Sequence, residues 1–252
     1  MAESKDIMKT RAYPENDFGG FTRCDSTVAF YTRINALVGP GTDVLDVGCG
    51  RGAYFEVDGE SPHRIALRNL KGRARHVLGI DVDTAGEGNA CLDEFRMIEN
   101  VDRWPVEDAS VDVLMSDFVM EHVDDPAAFL SEAARVVRPG GAICLRTPNR
   151  WSYIAIAASI IPNRAHGAVT SRVQQHREEE DVFPVRYRCN SRRALRKALN
   201  LAGFDPAVWT MEAEPAYLSF SWPVYRCGTL IHAVMPSLFR STLLGFGRRR
   251  GS

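Results

Sequence analysis

The sequence predicts an α/β protein with a doubly wound, mostly parallel sheet. Short apolar runs alternate with helical stretches along the chain, the pattern of a parallel sheet covered on both faces. The first such run, Val44-Leu45-Asp46-Val47, passes straight into Gly48-Cys49-Gly50-Arg51-Gly52. Glycines at the carboxyl end of a strand let the backbone turn sharply and approach a ligand closely. The second run, Val77-Leu78-Gly79-Ile80, ends on a carboxylate, Asp81.

The elements follow in order. Residues 1–20 are charged, then carry Pro14 and Gly19-Gly20, and are expected to be loose. Cys24 to Val38 reads as a helix with Val28, Tyr31, Ile34 and Leu37 on one stripe, capped by Asp25 or Ser26 and ended by Gly39-Pro40-Gly41. The first two strands are separated by a long polar stretch that holds at most a short helix, about residues 64–70. A third strand is expected near Phe95 to Ile98, a fourth at Val111 to Phe118 and a fifth at Ala142 to Thr147. The clearest helix is Asp125 to Val137, with Pro126 at its start and Pro139-Gly140-Gly141 after its end. Ser191 to Ala202 is another, capped by Asn190 or Ser191 and closed by Gly203. A strand around Ala207 to Met211 precedes an aromatic, apolar tail with a basic terminus.

At 252 residues the chain suits one large domain with added elements. We read 1–39 as an N-terminal arm and helix, 40–147 as a ligand-binding core, 148–189 as an apolar cap after strand five, and 190–252 as a C-terminal extension of helix, strand and tail. Apolar content of 45% and charged content of 25% are those of an ordinary globular protein. The formal net charge of −1 gives no bulk attraction to nucleic acid or to an anionic membrane. Six scattered cysteines, without a C-x-x-C pair or zinc spacing, read as reduced thiols of a cytoplasmic protein. The polar start of the chain has no secretory signal pattern. The longest apolar stretch, Tyr153 to Ile161, falls well short of the roughly 18 residues of a membrane span. His176 beside Glu178-Glu179-Glu180-Asp181 reads as a solvated acidic loop, so no metal is expected.

By itself the glycine loop leaves more than one function open. Gly48, Gly50 and Ala53 satisfy the looser G-x-G-x-x-A pattern of nicotinamide and flavin enzymes. The run from Val44 to Gly52 also resembles the first motif of the class I S-adenosylmethionine-dependent methyltransferases, which favour an acidic residue two positions before the first glycine; Asp46 stands there. Gly79-Ile80-Asp81-Val82-Asp83 resembles their second motif. Trp104-Pro105-Val106-Glu107-Asp108-Ala109-Ser110-Val111-Asp112, Asp117-Phe118-Val119-Met120-Glu121-His122-Val123 and Arg135-Val136-Val137-Arg138-Pro139-Gly140-Gly141 are similar to the segments that follow in that family. Together the matches cover about residues 40–150, closest to the type 11-like subgroup that acts on small molecules.

The resemblance implies a Rossmann-like class I methyltransferase fold and S-adenosylmethionine as cofactor, leaving as S-adenosylhomocysteine. It implies that Asp46, Gly48, Cys49, Gly50 and Gly52 cradle the cofactor and that Asp81, with Val82 beside it, accepts both ribose hydroxyls. A carboxylate is suited to that, since it accepts two hydrogen bonds at once. Asn100 falls where the family usually has an aspartate next to the adenine amine, and Val101 packs beside the adenine. Asp117 and Phe118 face the methionine end.

The methyl of this cofactor is already activated, so the protein must mainly align an acceptor and exclude water. For a hydroxyl acceptor a base is needed, and His122 is the nearest candidate. The Glu121-His122 pair is also common in the motif as pocket wall. His166 is a second candidate, in the segment after strand five. Residues 148–189 and 213–247 are left to form the cap and acceptor pocket, with Glu121, Asn149, Tyr153 and Tyr187 as expected acceptor contacts. Thr147-Pro148-Asn149 resembles a subgroup acting on glycans, lipids or quinones. The apolar cap suits packing on the sheet, a pocket for a hydrophobic acceptor, or contact with a bilayer. The tail from Leu230 to Phe246, with Arg240 and Arg248-Arg249-Arg250, fits the bilayer version.

The expected activity is methyl transfer to a small-molecule acceptor, by O-methylation of a hydrophobic, lipid-linked or glycan-type metabolite. Nucleic acid is not an expected partner, because Ser116-Asp117-Phe118-Val119 lacks the Asn/Asp-Pro-Pro-aromatic signature of base-amine methylation. The alternatives are a non-catalytic subunit that binds S-adenosylmethionine, and an NAD(P)-dependent oxidoreductase. The latter expects an acidic residue about 20 positions past the glycines, and Asp81 lies further along.

Overall fold

The computed structural model describes residues 2–52, 61–153, 155 and 185–251. Its centre is a seven-stranded sheet in the order β3-β2-β1-β4-β5-β7-β6. The strands are β1 (Asp43–Val47), β2 (His76–Asp81), β3 (Glu94–Met97), β4 (Val111–Asp117), β5 (Val137–Pro148), β6 (Phe204–Met211) and β7 (Thr242–Arg249). β1 to β5 pair in parallel, whereas β7 lies antiparallel between β5 and β6. The helices are α1 (Ala2–Ala12), α2 (Ser26–Asn35), α3 (Pro62–Arg68), α4 (Pro126–Val136), α5 (Arg192–Leu201) and α6 (Trp222–Val234).

The caps explain where the helices begin. Asp25 Oδ1 accepts from the amides of Thr27 and Val28 at the start of α2, and Asp125 Oδ1 does the same from Ala127 and Ala128 at the start of α4. Ser191 caps α5 through the amide of Ala194. Two apolar layers hold the sheet. α4 and α5 bury Leu130, Ala133, Leu195 and Leu199 with Leu45, Leu114 and Ile143, while α2 buries Phe30 and Ile34 with Val44, Val77 and Cys144.

Three expectations need correction. Residues 2–12 form α1 rather than a loose arm. Its sequence carries only Ile7 and Met8 as large apolar residues, so no periodic stripe announces it. It is held from outside: the Arg11 guanidinium lies 4.1 Å from the Trp222 ring centre of α6, and Lys9 is 3.9 Å from Glu214. The stretch Pro139-Gly140-Gly141 lies inside the span of β5 rather than before it. It bulges there, since Val111 pairs with Val137 but Val113 with Ala142.

The apolar tail resolves into α6 and the buried strand β7. Leu243 and Leu244 are fully buried, with the strand flanked on both sides. Its basic terminus is used within the sheet. Arg248 donates to the Gly140 carbonyl, Arg249 to that of Val137, and Arg250 pairs with Asp205 at 3.1 Å. These arginines therefore brace strand ends instead of forming a free basic patch.

Candidate functional site

At the carboxyl ends of β1, β2 and β4 a cavity of about 960 Å³ opens. Strand order reverses around β1, the position where open α/β sheets bind ligands. The turn after β1 forms its floor. Gly48 (φ +75°), Gly50 (φ +50°) and Gly52 (φ +72°) are all left-handed. A Cβ on Gly48 would stand 2.3 Å from Val119 Cγ2, and one on Gly52 2.5 Å from Asn89 Oδ1, so neither position tolerates a side chain.

Polar side chains from neighbouring strands fix this turn. Asp81 Oδ2 accepts from the Gly50 amide at 2.8 Å. Ser116 donates to the Val47 carbonyl at 3.0 Å, and buried Asn89 donates to the carbonyls of Cys49 and Gly50, each at 3.1 Å. Asn89 and Ser116 carry no pattern of their own in the sequence.

Carboxylates dominate the cavity. Burial, then the charges of Asp117 and Asp81, push the Asp46 carboxyl up to about 8. Asp117 is clamped by Arg146, which is 2% exposed and donates through Nε and Nη2 at 2.6 Å each. Tyr31 also donates to Asp117, at 3.1 Å, and burial holds its phenol well above the usual range. Arg146 further reaches Thr27 Oγ1 at 2.8 Å and lies over the Phe118 ring. Phe118 itself sits at φ +58°. The expected methionine-end pair, Asp117 and Phe118, thus lines the cavity, but the Asp117 oxygens are engaged by Arg146 and Tyr31. Sequence reading missed Arg146 and Tyr31, because an arginine inside a strand and a tyrosine on an apolar stripe give no motif.

Asp46, Gly48, Cys49, Gly50, Gly52, Asp81, Val82, Val101, Asp117, Phe118 and His122 all line this one cavity. Asn100 does not. It is exposed, and its Oδ1 accepts from the Asp102 amide within its own turn; Val101 and Asp102 face the cavity instead. That wall is held by α4. Buried Glu132 accepts from the Trp104 amide at 2.9 Å, and Arg135 donates to the carbonyl of Val106 and to Asp108, each at 2.7 Å. Arg135 belongs to one of the matched segments, and this bracket is its physical role.

The expected acceptor contacts divide. His122 is on the wall, with Nε2 4.0 Å from Glu121 Oε1. Glu121 is buried behind it, where its carboxylate accepts from Thr147 Oγ1 at 2.8 Å and its carbonyl from the Arg186 amide at 2.6 Å. Asn149 is 1% exposed and gives its side-chain amide to the carbonyls of Leu238 and Arg240, at 2.7 and 2.8 Å. It is a fastener between β5 and β7, with no donor left for an acceptor. Tyr187 is half-buried at φ +50°, donating its amide to Glu121. Its neighbour Arg186 lines the cavity and pairs with Asp124 at 3.0 Å. The Tyr153 ring lies 5.3 Å from that of His232. His166, His176 and the acidic run 178–181 lie outside the described residues. Among the described residues no group of three or more His, Cys, Asp or Glu is placed to hold a metal, and no helix is long and apolar enough to cross a membrane.

A parallel sheet closed by an antiparallel β7, with a glycine turn and a carboxylate at the ends of β1 and β2, defines a class I methyltransferase fold; the dinucleotide-binding order is parallel throughout. Residues 45–145 match the family model described as "Methyltransferase domain". A probable S-adenosylmethionine-dependent methyltransferase of Mycolicibacterium smegmatis is 36% identical over 117 residues, which are 45% of this chain and 40% of the relative. A ubiquinone biosynthesis O-methyltransferase of Hahella chejuensis is 34% identical over 44% of this chain and 45% of its own length. A solved S-adenosylmethionine-dependent methyltransferase from Archaeoglobus fulgidus aligns over 93% of this chain and 97% of its own at a TM-score of 0.52 and 20% identity. A putative methyltransferase solved with the Trm112 activator from Haloferax volcanii aligns over 99% of this chain and 97% of its own at a TM-score of 0.56 and 20% identity. The chain spans 40%, 33% and 37% of the length of the first three curated relatives it matches. Over residues 45–145 the chain is thus similar to S-adenosylmethionine-dependent methyltransferases.

Proposed function

We propose that this protein transfers the methyl of S-adenosylmethionine to the hydroxyl of a hydrophobic small molecule in the cytoplasm. The observation that carries the reading is the cavity over the glycine turn, in which Asp46, Asp81 and Asp117 meet. With Asp46 holding its proton, the other five aspartates of the lining still outnumber its four arginines and favour a ligand with positive charge, and the cofactor of this class is cationic at its sulfonium. Open space at Gly50, where a Cβ would meet nothing within 4 Å, suits close approach of the ligand to the backbone.

S-adenosylmethionine supplies a methyl already activated for transfer. The residues of this chain then bind, orient and exclude water. Asp81 keeps acceptor capacity for the ribose hydroxyls while bracing Gly50. Val101 and Asp102 border the adenine end, and Tyr31, Asp117 and Phe118 the methionine end. His122 Nε2, on the cavity wall, takes the proton of an acceptor hydroxyl. Similarity to the ubiquinone biosynthesis O-methyltransferase and to a malonyl-[acyl-carrier protein] O-methyltransferase of Hahella chejuensis, 27% identical over 68% of this chain, supports oxygen as the acceptor atom.

The test is calorimetric titration with S-adenosylmethionine, S-adenosylhomocysteine and NADH, with Asp81→Ala as control. The expected result is binding of the two sulfur ligands, weakened by about a hundredfold or more in Asp81→Ala, since each charge-assisted hydrogen bond contributes roughly 1.5–3 kcal/mol. NADH binding without either sulfur ligand overturns the reading. Turnover against a panel of lipid, quinone and glycan hydroxyls separates an enzyme from a subunit that only binds the cofactor.

A further inference from the structure

Helix α6 is built inside out. Its buried side carries Tyr225, Gly228, Thr229 and His232, so small and polar groups face the protein. The opposite side, at helical spacing, carries Leu230, Ile231 and Val234, exposed by 54%, 49% and 80%. The turn that follows adds Leu238 and Phe239, at 55% and 39%. An ordinary surface helix has the reverse arrangement, and a contiguous exposed apolar face of this kind marks a contact surface.

Charge identifies what covers it. From residue 215 to the end of the chain there is no Asp or Glu, while Arg226 and Arg240 flank the apolar stripe. Arg226 is exposed on the stripe itself, and Arg240 follows Phe239 directly. A second copy of this face across a two-fold axis would set arginines against arginines with no carboxylate to meet them. An anionic lipid surface meets both features, taking the apolar side chains below its headgroups and the guanidiniums among its phosphates. Arg150 stands beside Trp151, 46% exposed, where β5 leaves the sheet, and adds an aromatic and a basic group of the kind that settle at a bilayer interface.

The face is fastened to the segment that follows β5. Asn149, two residues past Thr147 of β5, holds the carbonyls of Leu238 and Arg240. His232 Nδ1, on the inner side of α6, donates to the Ala213 carbonyl at 2.9 Å, and its ring faces that of Tyr153. We propose that the outer face of α6 with Leu238 and Phe239 seats the protein on an anionic bilayer, and that the hydrophobic acceptor reaches the cavity from that membrane. The second half of this statement rests on the methyltransferase reading; the docking surface does not.

The experiment is flotation of the full chain with vesicles of phosphatidylcholine alone and of phosphatidylcholine with phosphatidylglycerol. The wild type is expected to float with the anionic vesicles and to stay behind with the neutral ones. Ile231→Glu combined with Val234→Glu is expected to lower the partition coefficient at least about tenfold, because one buried aliphatic side chain alone is worth roughly that factor. Arg226→Ala with Arg240→Ala lowers it roughly fivefold per charge. Leu201→Glu, exposed by 75% on α5, is the control and floats as the wild type does. Circular dichroism melts of each variant establish that it is folded. Failure of the wild type to float, or flotation of the Ile231/Val234 variant at the wild-type level, overturns the proposal. So does a concentration-dependent dimer that the same variant breaks while vesicles bind neither form. Calorimetry with S-adenosylmethionine on the same preparations keeps the two readings apart: cofactor binding without flotation sinks only the docking surface, and flotation without cofactor binding only the methyltransferase reading.

Discussion

Replacing Asp46 by Asn removes the carboxyl that the cavity holds at about 8, and the consequence for stability has a definite sign. The ordinary value of this side chain is 3.8, so the folded protein keeps a proton that the unfolded chain releases. The stability it contributes is full below about 3.8 and is lost as pH rises to about 8. A shift of about four units corresponds to roughly 5 kcal/mol. Asp46 opens onto a cavity, so solvent screening reduces this, and we expect about 2 kcal/mol. Asp46→Asn should therefore match the wild type under acidic conditions and exceed it by about 2 kcal/mol once the wild-type carboxyl is ionised. Urea denaturation at about pH 3.5 and about pH 9 gives the comparison. The titratable groups that face Asp46 are Asp117, Asp81, Tyr31 and Cys49, and the same replacement leaves them in place. Two parallel stability curves would refute the argument that burial and the neighbouring carboxylates hold the proton. The linkage also acts on the ligand. A cation in the cavity lowers the Asp46 value, so binding of S-adenosylmethionine near neutral pH releases a proton from the wild type and none from Asp46→Asn. Calorimetry in buffers of different ionisation enthalpy measures that proton.

Three further outcomes follow from the geometry. His122→Ala should lower turnover by about a hundredfold or more while leaving cofactor affinity in place; equal activity in both proteins removes His122 from the mechanism. Arg146→Ala leaves the Asp117 carboxylate without its clamp, a loss of about 3–5 kcal/mol in urea denaturation. The double change Arg146→Met with Asp117→Leu should recover most of that, and a double variant as unstable as the single one would show that the arginine acts through packing alone. Asn149→Ala should cost about 2–4 kcal/mol by stranding the Leu238 and Arg240 carbonyls. It should leave S-adenosylmethionine affinity unchanged, and a large fall in that affinity would place Asn149 in the binding machinery after all.

The glycine turn and the strand-end carboxylate of the cavity were legible because their physics is local. A turn that needs positive φ at Gly48, Gly50 and Gly52 demands glycine at those positions, and a carboxylate that ends a strand is visible as Asp81. Strand periodicity and caps likewise placed β1, β2, β4, α4 and α5 to within a few residues. Legibility fell where a residue's role depends on what lies across the fold. Asn149 and Glu121 read as acceptor contacts because they sit near matched motifs, yet each is spent on a distant carbonyl or hydroxyl.

What the sequence determined by itself was the sheet's parallel core and the glycine turn, since both follow from periodicity and from backbone conformations open to few residue types. The rest was decided only in three dimensions. Whether Leu243 and Leu244 belong to a tail or to a central strand depends on β5 and β6 being there to flank them. Whether residues 2–12 fold depends on Trp222 and Glu214, more than 200 positions away. That α6 turns its leucine and isoleucine outward is set by which of its faces α1, Pro215, Leu218 and Tyr153 pack against, and helical spacing alone cannot tell the inner face of an amphipathic helix from the outer one.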